Sequence, residues 1–105
     1  RPPAHRQRHR RRDAQHRLMP FEDAVIGVLR TLRPGEVVTY GEVAEQAGHP
    51  GAYRAVGTLL RRTTEEVPWW RVVGAGGRLR SPDPALQARL LIAEGVRVRS
   101  GRVAG

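Results

Sequence analysis

A mainly α, α+β fold, a small winged-helix-like domain, is what this 105-residue sequence predicts. Three observations predict it. The stretch from Pro20 to Arg62 reads as three short helices, the first two opened by a proline or a capping residue. The second and third of these are separated only by the turn Gly48-His49-Pro50-Gly51, and the third carries arginines along its polar side, the pattern of a helix-turn-helix. Near the end of the chain, valine alternates with arginine around Ser100-Gly101, as in a short β-hairpin.

The first helix is expected over residues 20–32, where Phe21, Val25, Val28, Leu29 and Leu32 share one face behind Pro20. Arg33-Pro34-Gly35 ends it in a turn, and residues 36–38 form a short extended lead. Thr39 and Glu42 have capping-box spacing, each side chain placed to satisfy the other's backbone donor. The second helix then runs over residues 40–47 and stops at Gly48. The third, residues 52–62, turns Val56, Leu59 and Leu60 inward and leaves Arg54, Thr58, Arg61 and Arg62 on the other side.

Residues 70–73, the glycine-rich residues 74–77 and residues 78–80 read as a hairpin or looped strand pair. Asp83 and Pro84 supply an N-cap and a first-turn proline for a helix that carries Leu86, Leu90 and Leu91 and ends at Gly95. Val96, Val98 and Val103, alternating with Arg97, Arg99 and Arg102, form the terminal strand or hairpin.

Composition narrows the function classes. Apolar residues make up 39% of the chain, enough for one core, in a domain small enough that one core leaves a modest stability margin. There is no cysteine, hence no disulfide framework, no thiolate metal site and no cysteine nucleophile. No apolar run approaches the roughly 20 residues of a membrane span, and no signal-peptide core is visible. A monomer in the cytoplasm, associated with the nucleoid and not with a membrane, is the expectation.

The net charge of +9 arises from 19 basic residues, all arginine, against 10 acidic ones, and favours a polyanionic partner. Seven of the arginines and one acid fall in residues 1–18, which leaves twelve against nine in residues 19–105, about +3. Residues 1–18 contain almost nothing apolar and are expected to be disordered. They read either as a nucleic-acid tail or as a cloning or gene-start artefact, since the single methionine is Met19. The domain proper is residues 19–105.

Five motifs then occur together: Pro34-Gly35, residues 38–44 (Val-Thr-Tyr-Gly-Glu-Val-Ala), Arg54-Ala55-Val56-Gly57, Pro68 with Arg71-Val72-Val73, and Leu90-Leu91 with Glu94-Gly95. In order and spacing, residues 20–98 resemble the C-terminal domain of the O6-alkylguanine-DNA alkyltransferases. That family's active-site signature reads Pro-Cys-His-Arg-Val; here Trp69 stands at the cysteine and Trp70 at the histidine that activates it. The resemblance thus implies an alkyltransferase-like protein that binds O6-alkylguanine without repairing it. Alkyl transfer needs a thiolate activated by a neighbouring base, and an indole N–H only donates. No enzymatic activity, catalytic residue, metal or cofactor is expected.

The resemblance also assigns roles. Arg54 matches the arginine that fills the stack vacated by a rotated guanine, from a helix in the minor groove; its planar guanidinium suits stacking on bases. Tyr40 matches the tyrosine that crowds the adjacent phosphate. Gly57 permits close approach of helix to backbone, Arg61 and Thr39 contact phosphate, and Ala52 and Tyr53 open the DNA-facing helix. Read from the residues alone, Tyr40 could be core, Gly57 a helix-packing position and the arginines a solvated face. The lesion pocket is assigned to Tyr40, Trp69, Trp70, Val73 and Arg80, with Trp69 as a stacking surface worth about 1–3 kcal/mol; Trp70 either lines this pocket or fills core volume beneath it. Arg71 and Glu94 are structural neighbours, Glu94 matching the carboxylate that orients the histidine.

Two departures affect the loop: the family's asparagine after the recognition helix is matched only by Thr63 or Thr64, and the segment after Gly77 is short. The implied partners are duplex DNA containing O6-alkylguanine and the proteins of nucleotide excision repair. A winged-helix regulator or architectural protein without lesion specificity is the alternative, with Trp69 and Trp70 as core. A protein partner or inhibitor of a genuine alkyltransferase is a third.

Overall fold

The computed structural model of the protein describes residues 19–104; the arginine-rich stretch 1–18 and the disorder expected of it lie outside the described residues. Helix α1 is Phe21–Arg30 and buries Ala24, Val25, Ile26, Val28 and Leu29. It is shorter at both ends than residues 20–32. Pro20 stands just outside as the cap, its carbonyl accepting the Ala24 N–H at 3.0 Å. At the other end Thr31 spends its hydroxyl on the Val28 carbonyl, 2.6 Å, which closes the last turn before Leu32.

Strand β1 (Val38–Thr39) leads directly into helix α2 (Tyr40–Gln46). The capping box is formed on both sides: the Glu42 N–H donates to Thr39 Oγ1 at 3.1 Å and the Thr39 N–H to Glu42 Oε1 at 2.8 Å. Helix α3 (Tyr53–Arg62) follows, with Ala52 at its N-cap. Val25 and Leu29 of α1, Val43 and Ala44 of α2, and Val56 and Leu59 of α3 share one core with Val67 and Val72. Full burial of such a side chain stabilises by about 1.5–3 kcal/mol, so the helix pair α2–α3 is held against α1 by packing and not by helix propensity.

The hairpin expected across residues 70–80 does not form. Trp69–Arg71 make a 3-10 turn, and strand β2 (Val72–Val73) pairs in parallel with β1, Val38 opposite Val72 and Thr39 opposite Val73. The reason is burial: both valines are covered on both faces, as a parallel pair requires, whereas a surface hairpin would leave one exposed. Ala75–Gly77 coil into a second 3-10 turn, closed where the Gly74 N–H meets the Arg78 carbonyl at 2.8 Å.

Helix α4 (Pro84–Ala93) starts as expected, Asp83 Oδ1 accepting the Leu86 N–H at 3.1 Å. Its Gln87 is fully buried and donates its amide to the carbonyls of Trp70 (3.1 Å) and Val72 (2.9 Å), which ties α4 to β2. The terminal hairpin is present: β3 (Val98–Arg99) pairs with β4 (Arg102–Val103) through Ser100 and Gly101, both at positive φ, 52° and 76°. Positive φ at both central residues is the two-residue turn that matches strand twist. Among the described residues no helix is long and apolar enough to cross a membrane.

Candidate nucleic-acid interface

On α3, residues 54, 57, 58 and 61 fall three and four apart and so occupy one face, opposite the buried Val56 and Leu59. That face borders an open cavity of about 830 Å³, lined also by Tyr53, by Thr39, Tyr40 and Gly41 at the start of α2, and by Gly74, Ala75 and Arg80 of the loop after β2. The β1–β2 pairing is what sets the loop against the two helices, because β1 opens into α2 and β2 into Gly74.

Tyr40 is half-buried between helix and cavity, and its phenol is pushed above the ordinary tyrosine value by that burial, opposed in part by the positive charges of Arg61 and Arg80. It therefore stays protonated and able to donate. A Cβ on Gly57 would meet the Tyr40 ring and Arg61 Nη1 at 3.8 Å, an ordinary contact, so the protein itself does not require glycine there. Gly74 differs. The Cβ it lacks would lie 2.8 Å from Arg80 Cδ and 2.9 Å from Arg80 Nε, so the Arg80 side chain lies across the bare backbone of Gly74 as it enters the cavity.

Arg71 is only 8% exposed. It meets Glu94 with both arms of its guanidinium, Nε to Oε1 at 3.0 Å and Nη2 to Oε2 at 2.6 Å, and gives Nη1 to the Leu32 carbonyl at 2.9 Å. Glu94 also accepts the Gly35 N–H at 2.8 Å and the indole N–H of Trp70 at 2.8 Å. The hydrogen bonds from Arg71, reinforced by those from Gly35 and Trp70, outweigh the cost of burial and hold the Glu94 carboxyl at about 2. The carboxylate is thus ionised at neutral pH and anchors α1's exit, the 3-10 turn and the end of α4 together.

Of the residues singled out in the sequence, the structure gathers Thr39, Tyr40, Tyr53, Arg54, Gly57, Arg61 and Arg80 around one cavity. Ala52 caps α3 outside the lining, and Val73 is 2% exposed within β2. Trp69 and Trp70 do not line this cavity; with Pro68, Leu32, Thr63 and Glu66 they border a separate cleft of about 700 Å³. Trp69 packs against the core, edge-on to Trp70 with ring centroids 5.9 Å apart. Trp70 lies beside Trp69 on that cleft, with its N–H donated to Glu94 and its ring beside the Arg71 guanidinium, 5.1 Å away.

Gly41, Thr58, Gly74 and Ala75 also line the cavity without having been assigned to it from sequence. Thr58 was within reach of helical spacing, four residues beyond Arg54. The loop glycine and alanine carried no local signal, since their position depends on where β2 pairs. Among the described residues no cluster of three or more His, Asp or Glu could hold a metal ion.

The family model for the DNA-binding domain of 6-O-methylguanine DNA methyltransferase matches residues 20–96. The chain belongs to this family. Within the alkyltransferase family, its relatives include the DNA base-flipping protein of Escherichia coli strain K12, 42% identical over 88 residues that make up 79% of this chain and 68% of the relative. The DNA base-flipping protein of Vibrio parahaemolyticus is 38% identical over 85 residues, 76% of this chain and 85% of that one. Among solved structures, Atl1 of S. pombe in complex with damaged DNA containing O6-carboxymethylguanine superposes with a TM-score of 0.69 at 30% identity, over 75% of this chain and 79% of Atl1. This alkyltransferase-family domain is mainly helical with short strands, as the sequence predicts, and its 105 residues contain no cysteine.

Proposed function

We propose that this chain binds duplex DNA through α2 and α3 in the minor groove, rotates an O6-alkylguanine into the cavity, and leaves the alkyl group in place. The observation that carries this reading is the convergence of Tyr40, Arg54, Arg61 and Arg80 on one open cavity in a chain without a cysteine. Its support from relatives is the base-flipping proteins and the Atl1 complex with a damaged base. Rotating a base out of the stack costs a few kcal/mol, least for a damaged or mispaired base, so the cost itself selects the lesion. Arg54 fills the vacated stack, Tyr40 crowds the phosphate beside it, Arg61 and Thr39 hold neighbouring phosphates, and Gly57, which the fold does not demand, lets the backbone approach α3.

Trp69 stands where the family's reactive cysteine stands, and Trp70 where its histidine does. Stacking of the rotated base on Trp69 requires the indole to reach the cavity from the separate cleft that it borders. With the alkyl group still on the DNA, the bound complex is handed to nucleotide excision repair. Faster incision of a lesion duplex by a purified excision system when the protein is added tests that step; unchanged incision refutes it.

Anisotropy titrations with an O6-methylguanine duplex and its unmodified twin test the central reading. Tighter binding to the lesion is expected, with Arg54→Ala and Tyr40→Ala each losing about tenfold of that preference, the size of an interaction worth roughly 1.4 kcal/mol, and the intact mass of the protein unchanged afterwards. Equal affinities would overturn it and favour a regulator that reads no lesion. Trp69 is tested apart: its fluorescence is expected to be quenched by lesion duplex, and Trp69→Ala to lose about 1–3 kcal/mol of lesion binding.

A further inference from the structure

We propose that a track of arginines leaves the cavity at Arg80 and crosses the terminal hairpin through Arg78, Arg102, Arg99 and Arg97, holding the phosphates of duplex DNA beyond the rotated nucleotide. This second contact rests on the DNA-binding reading above, though not on lesion recognition.

The backbone places these side chains in line. Arg80 lines the cavity. Arg78, two residues earlier and extended at φ −66°, ψ 135°, projects to the same side. An antiparallel bridge sets Arg78 opposite Arg102, and the β3–β4 register sets Arg102 opposite Arg99. Directly opposed residues share a face, so Arg78, Arg102 and Arg99 point the same way. Arg97 stands two residues before Arg99, its carbonyl accepting the Ala104 N–H at 2.9 Å, and continues the row.

The hairpin is seated firmly on the cavity loop. The Leu79 N–H donates to the Gly101 carbonyl at 3.0 Å, and a Cβ on Gly77 would come within 3.0 Å of the Val103 carbonyl oxygen. The arginines are thus fixed relative to the cavity and do not sit on a free arm.

Their electrostatics call for a partner. Arg30, Arg62 and Arg71 each have a glutamate, whereas none of the five arginines of the track has an ion pair among the described residues, and all five are exposed. Like charges directly opposed across strands destabilise a hairpin, so the fold gains nothing from this arrangement. A row of phosphates removes the repulsion and suits the guanidinium's fork of donors.

The test compares R99Q/R102Q with R33Q/R89Q, which removes the same charge outside the track, on lesion and unmodified duplexes across a salt series. R99Q/R102Q is expected to weaken both duplexes by the same factor, about tenfold at low salt, with the lesion preference retained. The slope of log affinity against log salt should become shallower by about 0.9 for each phosphate that is no longer neutralised, and R33Q/R89Q should change it by less than half as much. Indistinguishable slopes for the two variants would overturn the track. Failure of wild-type protein to prefer the lesion would instead overturn the flipping reading and leave the slopes still decisive. R99Q/R102Q is expected to melt no lower than wild type, since repulsion is relieved. If it melts lower, R99K/R102K decides: a restored slope supports the track and an unrestored one overturns it.

Discussion

Glu94 illustrates how a single side chain gathers donors from separate segments of the chain. It receives the Trp70 indole N–H, the two-armed contact with Arg71 and the Gly35 N–H. Removing it would strand a guanidinium that is 8% exposed together with two further donors. Breaking a buried pair from one side costs about 3–5 kcal/mol, and Glu94→Ala is expected to lose that much in urea unfolding. Acid tests the same carboxylate in the wild-type protein. Its folded value of about 2 lies below the ordinary 4.5, so its contribution is complete above pH 4.5 and is lost as the pH falls through about 2. An acid limb that survives in Glu94→Ala would assign the loss to other carboxylates.

At the scale of elements, α3 balances packing against access. Val56 and Leu59 fix one side in the core, and the other side presents Arg54, Gly57, Thr58 and Arg61 to the cavity. Glycine inside a helix costs roughly 0.5–1 kcal/mol relative to alanine, and the space above Gly57 admits a methyl group with contacts at 3.8 Å. Gly57→Ala is therefore expected to raise stability by about that amount in thermal melts while weakening DNA binding by tenfold or more. A variant that gains stability and binds DNA as before would reduce Gly57 to a packing position. The two strand pairs differ likewise: buried β2 on half-buried β1 sets geometry, and the more exposed β3–β4 carries Arg99 and Arg102.

For the molecule as a whole, α1 packs under α2 and α3 in one core, α4 is tied to β2 through Gln87, and the loop after β2 borders the open cavity with Gly74, Ala75 and Arg80. What was legible in the sequence is what acts over a few residues. Apolar spacing marked α1 and α3, Thr39 with Glu42 and Asp83 with Pro84 marked helix starts, and Ser100-Gly101 marked the hairpin turn, because periodicity and capping depend on neighbours in the chain. The arginine face of α3 and the lack of a cysteine were equally plain, and with them the exclusion of thiolate chemistry.

Other features depended on distant segments. The pairing of β2 with β1 depends on where two valines can be covered on both faces, and no local pattern distinguishes that from a hairpin. The course of the loop follows from that pairing, and with it the seating of Arg80 across Gly74. The tryptophans depended on the same kind of choice: sequence set both beside Pro68, but the hydrogen bond to Glu94 and packing on the core set them on a cleft apart from the cavity. Neighbouring residues alone dictate which helices form and which charges they carry, and these 105 residues offer no cysteine. Which of those residues meet is set by packing, because burial and the pairing of buried polar groups are settled between segments far apart in the chain.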